Sequence, residues 1–165
     1  MLPAALKALQ RCRLPDGAYT YSVAAIPRAV PGRPDIDNIK GSLSRIQICN
    51  LALYTERAGV TQEDLEKGLD LFFRHHRFLE VACYRPIPHE AYYANAGYFF
   101  LYGHAYAGQV IGRLPRDKRG PYRERLERAL LPFQSPDGSW WDFPWQGYDK
   151  TYGTAFALIA LAPTP

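Results

Sequence analysis

Two short segments of this 165-residue chain carry the same pattern, and that constrains the fold more than anything else in it. Ala5–Tyr19 and Ala129–Trp140 each read as an apolar helix end, then a glutamine (Gln10, Gln134). A Pro-Asp-Gly turn follows (Asp16-Gly17, Asp137-Gly138), then one residue and an aromatic (Tyr19, Trp140). The loop after Gln10 is three residues longer than the one after Gln134. A small-residue-rich apolar stretch follows each copy, Gly41–Leu53 and Gly153–Leu161. Between them lies a unit without the turn, containing the run Glu90–Ile111. Two unit steps separate Asp16 from Asp137, so one unit is about sixty residues, the length of a helical hairpin with long loops. The expectation is one domain of three hairpins, over about 1–58, 59–113 and 114–165.

Apolar periodicity predicts six helices, over about 2–12, 41–58, 61–78, 90–112, 120–133 and 151–162. Thr61 is the predicted N-cap of the third, and Pro121 suits the first turn of the fifth. The odd helices are amphipathic and charged, the even ones apolar nearly all round, which predicts odd helices outside and even helices inside. The one strand-like run, residues 19–26, is bounded by loops. The fold class is all-α.

Gln134-x-x-x-Gly138-x-Trp140, followed by Tyr152 and Thr154–Leu158, resembles the Gln-Trp repeat of squalene and oxidosqualene cyclases, and more broadly the prenyltransferase/squalene-cyclase repeat. Gln10, Asp16, Gly17 and Tyr19 form a second copy, and the resemblance extends over most of the chain. It implies an α/α toroid, with parallel inner helices around a ring and antiparallel outer helices behind them. Three hairpins then make roughly half a ring. Such a half leaves an apolar edge on its first or last helix, to be covered by a second copy of the chain or by an N-terminal half. The family's Asp-x-Asp-Asp acid motif has its nearest match in Asp35-Ile36-Asp37-Asn38, where Asn ends the run. The Asp-x-Cys zinc element of the protein prenyltransferases does not occur, so no metal or cofactor is expected.

Aromatic residues make up 14% of the chain, enough for a thick core or an aromatic-walled cavity. The net charge of +4 does not call for nucleic acid. No apolar run reaches the length of a membrane span. Cys12, Cys49 and Cys83 are odd in number and far apart, and Met1–Lys7 lacks the pattern of a secretory signal. Together these predict reduced thiols and a cytoplasmic location.

The chemistry is expected where the chain enters each inner helix. Those entries hold Asp37, then His89-Glu90, then Asp149, the four candidate catalytic groups. Arg45, Tyr92, Tyr93, Tyr148 and Tyr152 are the expected lining of a central cavity, with Tyr98, Tyr102 and Tyr106 along the fourth helix. Gln10, Asp16, Gly17, Gln134, Asp137, Gly138 and Trp140 are expected to stabilise turns. His104 is expected as a buried, hydrogen-bonded histidine. Three functions remain open on these residues. The first is a terpenoid-cyclase-like protein that binds an isoprenoid or other apolar molecule. The second is a non-enzymatic scaffold holding a protein or peptide on its concave face. The third is a carbohydrate-active α/α barrel using Glu90 and Asp149.

Overall fold

The computed structural model describes residues 2–23, 36–144 and 149–162. Seven α-helices occur among them: α1 (Leu2–Arg11), α2 (Ile39–Thr55), α3 (Gln62–Arg74), α4 (Arg77–Glu80), α5 (Phe99–Ile111), α6 (Arg116–Leu130) and α7 (Asp149–Leu161). The described residues contain no strand beyond a single bridge between Arg13 and Tyr19, so the chain is all-α there.

Helix α5 packs against α2 on one side and α7 on the other. All three run parallel. Ser44 donates to the Phe99 carbonyl at one end of α2, while Ile48 shares a groove with Tyr106 further along. Leu101 lies against Gly153 and Gly108 against Ala160, a constant offset along α5 and α7. Helix α3 runs antiparallel to α2, since Asn50 donates to the Asp64 carbonyl and Gln47 to that of Gly68. Helix α6 runs antiparallel to α7. Its end at Leu130 meets Trp140, which bonds Thr154, and its Arg123 reaches the Ala160 carbonyl. Leu43, Phe72, Phe100, Leu101 and Leu126 are buried in the core shared by these elements.

Small residues allow these approaches. A Cβ on Gly108 would stand 2.5 Å from the Ala160 carbonyl oxygen, and one on Gly103 would strike Ser44. Buried polar side chains of α2 bond across elements, although Gln47 Oε1 has no hydrogen-bond partner. Ser42 accepts from the Tyr19 amide, and Asn50 accepts from the Tyr19 hydroxyl at 2.8 Å.

The two Pro-Asp-Gly turns have the same hydrogen bonds. Leu14 donates to Ala18 and Ser135 to Ser139; Gly17 donates to Leu14 and Gly138 to Ser135. Asp16 accepts from the Ala18 amide and Asp137 from that of Ser139. Gly17 and Gly138 sit at φ +94° and +83°, where a side chain would be strained. The glutamines differ. Gln134 closes its own turn onto the Gly138 carbonyl, whereas Gln10 reaches across to Ala58. Counting back from the turn, Arg13 rather than Gln10 stands where Gln134 does, and it bonds Gly59 and Asp64.

Several expected boundaries move. The third helix breaks at His75-His76 after the capping box of Thr61 with Asp64, leaving α4 as a separate turn. The fifth starts at Arg116, which puts Pro121 inside it. The fourth starts at Phe99 instead of residue 90. His89, Tyr93 and Ala94 take φ of +64°, +61° and +54°, which a helix does not allow. Helix α1 is not an outer helix. No residue of it is buried, and Leu2, Leu6 and Leu9 face Ile48, Ala52 and Tyr106, whereas α3 packs on Ile46, Gln47 and Asn50. Spacing on α2 puts those two sets on opposite sides of the helix.

Candidate functional site

The N-terminal ends of α2, α5 and α7 lie at one end of the parallel layer, so three positive helix-dipole ends share one rim. Asn38 caps α2 through its side chain on Lys40 N–H. Leu101 N–H in the first turn of α5 is capped from far along the chain by Asp142 Oδ2 at 2.7 Å. Phe143 N–H is held by Asp149 at the start of α7.

Tyr21 organises the α2 side of this rim. Its backbone N–H donates to Asp37 Oδ1 at 2.5 Å, its ring meets His89 edge-on at 5.8 Å, and the Arg45 guanidinium lies 5.0 Å from its ring centre. Arg45 also donates to the carbonyls of Tyr19 and Ile36 and stands 3.9 Å from Asp37. Its side chain is 14% exposed. Burial lowers its pKa, while the neighbouring Asp37 carboxylate opposes that shift. It remains a cation, because an arginine begins so far above neutrality.

His89 has both ring nitrogens engaged. The Ala94 carbonyl can only accept, so Nδ1–H donates to it at 2.7 Å, and Nε2 accepts from the Tyr98 hydroxyl at 2.8 Å. Burial, with Tyr21 close by, raises the Tyr98 pKa, which keeps its proton in that bond.

From Arg45 one stripe of α2 continues through Ile48, Cys49 and Ala52. Alongside it α5 presents Tyr102 and Tyr106, whose rings are 4.9 Å apart, and Tyr102 meets Phe156 of α7 at 6.2 Å. Burial and the neighbouring Tyr106 push Tyr102 up to about 12, and burial pushes the Cys49 thiol up to about 12. Both stay neutral at physiological pH. The stripe ends in an apolar groove of about 440 Å³ between α1 and the α2–α5 pair, lined by Leu2, Leu6, Leu9, Ile48, Ala52 and Tyr106.

The structure thus brings Asp37, His89 and Arg45 together around Tyr21. The other expected site residues stand elsewhere. Glu90 is exposed on its loop, and Tyr92 is 68% exposed. Tyr93 packs on Phe78 with Lys40 above its ring. Asp149 is buried and occupied by Phe143 N–H. Tyr152 donates to Asp142 Oδ1 at 3.3 Å. Tyr148 lies outside the described residues.

Asp142 is the rim group that sequence reasoning missed. It is fully buried, and burial pushes its carboxyl up to about 7, against the bonds from Leu101 and Tyr152 and with help from Asp149 nearby. No spacing singles it out. Its partners stand 41 and 10 residues away. Among the described residues no group of three or more His, Cys, Asp or Glu side chains could hold a metal ion, and no helix is long and apolar enough to cross a membrane.

No known protein family, no curated protein and no solved structure matches this chain.

Proposed function

We propose that the chain is part of an α/α toroid and that its inner face binds an isoprenoid or a comparable long apolar molecule with an acidic head group. The observation that carries this reading is the continuous stripe along α2 and α5. It has the Arg45 cation at one end, aromatic rings in the middle and the α1 groove at the other. Arg45 is preorganised by its two carbonyl partners and the Tyr21 ring, so it meets an anionic group with little ordering cost. The tyrosine rings offer apolar faces to a chain and can also steady positive charge. The shared hydrogen-bond pattern of the two Pro-Asp-Gly turns supports a repeated architecture.

Binding is a better match to this site than acid catalysis. Asp37 accepts from Tyr21, both nitrogens of His89 are bonded, and Asp142 is closed off behind Tyr152. The glycosidase reading needs two carboxylates facing one open pocket, whereas Glu90 is exposed and Asp149 is 1% exposed.

Isothermal titration with farnesyl diphosphate and with farnesol tests the proposal. Both should bind. Arg45→Met should weaken the diphosphate at least tenfold and leave farnesol unchanged, because only the charged head meets the guanidinium. Ile48→Asp should weaken both. Failure of the wild-type protein to bind either ligand, or equal losses for both in Arg45→Met, refutes the reading.

A further inference from the structure

A second concave site lies on the opposite, outer side of the helix pair α3 and α6. It is a pocket of about 420 Å³ with Phe73 and His76 in its floor. Four arginines surround it: Arg74 from the end of α3, Arg77 from the start of α4, and Arg125 and Arg128 one turn apart on α6. Among the described residues of the lining, Glu80 is the acid.

The charges there are unbalanced. Asp70 takes Arg125 at 2.8 Å, and Glu124 takes Arg128 at 3.5 Å from within α6. The side chains of Arg74 and Arg77 have neither an ion pair nor a hydrogen bond among the described residues. Like charges so arranged repel, and a bound anion relieves them.

Glu80 is already engaged from within the protein. His104 Nδ1–H donates to the Phe100 carbonyl at 2.7 Å, since that carbonyl can only accept. His104 Nε2 stands 2.9 Å from His76 Nε2, and His76 Nδ1 stands 2.7 Å from Glu80 Oε1. Burial pushes both imidazoles down. Against this one engaged acid the lining sets four guanidinium groups.

We propose that this pocket is an anion site for a phosphate-type oxyanion, a phosphate monoester or a diphosphate. Guanidinium forks match tetrahedral oxyanions two bonds at a time. Arg74 and Arg77 are the primary ligands because no acid or carbonyl among the described residues holds their side chains, and Arg125 is held in place by Asp70 and by stacking 4.7 Å over Phe73. The site is independent of the inner face, since its residues come from other faces of other helices.

The test is a titration of the full chain with inorganic pyrophosphate at constant ionic strength, followed by backbone-amide and arginine side-chain NMR. Saturable shifts are expected at residues 73–80 and 125–129. The double variant Arg74→Gln/Arg77→Gln should lose at least tenfold in affinity, whereas Arg57→Gln/Arg116→Gln should lose less than twofold. The side chains of Arg74 and Arg77 are exposed and bond no other described residue, so the double variant keeps its fold, which its amide spectrum reports. Shifts that grow linearly without saturation, or equal affinities in the two double variants, overturn the proposal.

Discussion

Replacing Asp142 with Asn isolates one buried charge. Asp142 is fully buried, accepts from Leu101 N–H and from the Tyr152 hydroxyl, and lies near Asp149. Burial raises its folded-state pKa from 3.8 to about 7. A raised carboxyl pKa means the folded protein holds a proton that the unfolded chain has released. The stabilising contribution is therefore complete below pH 3.8 and is lost as pH rises through 7. Each unit of that interval is worth about 1.4 kcal/mol, so the whole interval is worth about 4 kcal/mol. Asn has the same shape and no charge to desolvate. The stability difference, variant minus wild type, should therefore climb by about 4 kcal/mol between pH 4 and pH 7.5 and then flatten. Urea denaturation of both proteins at half-unit steps reads this directly. His104, pushed down to about 3 by burial, adds an opposite slope below pH 6.5 in each protein and cancels in the difference. A difference that stays constant across pH, or one that falls as pH rises, refutes the assignment of a buried carboxylic acid at this rim.

Three substitutions probe packing. Gly108→Ala drives a Cβ into the Ala160 backbone and should cost about 1–3 kcal/mol, read as a lowered thermal midpoint. Gly120→Ala, with open space around its Cβ apart from its chain neighbours, should change stability by less than about 0.5 kcal/mol, because the propensity gain is offset by the Pro121 ring that follows it inside α6. Trp140→Phe removes the indole N–H that meets the Leu130 carbonyl at the end of α6, and about 1–2 kcal/mol should be lost in urea unfolding.

The layering of this fold was legible because helix periodicity and turn chemistry are local. The small residues of 41–53 and 153–161 identified α2 and α7 as packed against neighbours, and Asp-Gly at 16–17 and 137–138 identified two turns that share every backbone bond described above. What failed was non-local or depended on conformation. The run from Glu90 reads as helix by composition, but two residues with positive φ, Tyr93 and Ala94, and Gly97, wedged under the Asp142 carbonyl, hold it irregular as far as Tyr98. The amphipathic pattern of α1 gives its apolar stripe but not which side of α2 receives it, so the assignment to the outer layer was wrong. Gln10 was paired with Gln134 by residue type, whereas register from the turn places Arg13 there.

The same distinction governs the rim. Three parallel helices bring three positive dipole ends to one side of the molecule, and carboxylates at their entries are what elementary electrostatics asks for. Asp142 and Asp149 answer that demand by accepting from backbone N–H groups and are spent in doing so, while Asp37 is drawn to Tyr21 and Arg45. Acids at helix entries were therefore legible as residues, and their backbone partners were not. The group with capacity to spare is Arg45. Its carbonyl partners are neutral, the Asp37 carboxylate is 3.9 Å away, and a tyrosine ring covers one face. Asp37 answers this guanidinium only at 3.9 Å, longer than a close charge-assisted hydrogen bond. On the proposed reading, an acidic head group would complete that partnership where a neutral one would not.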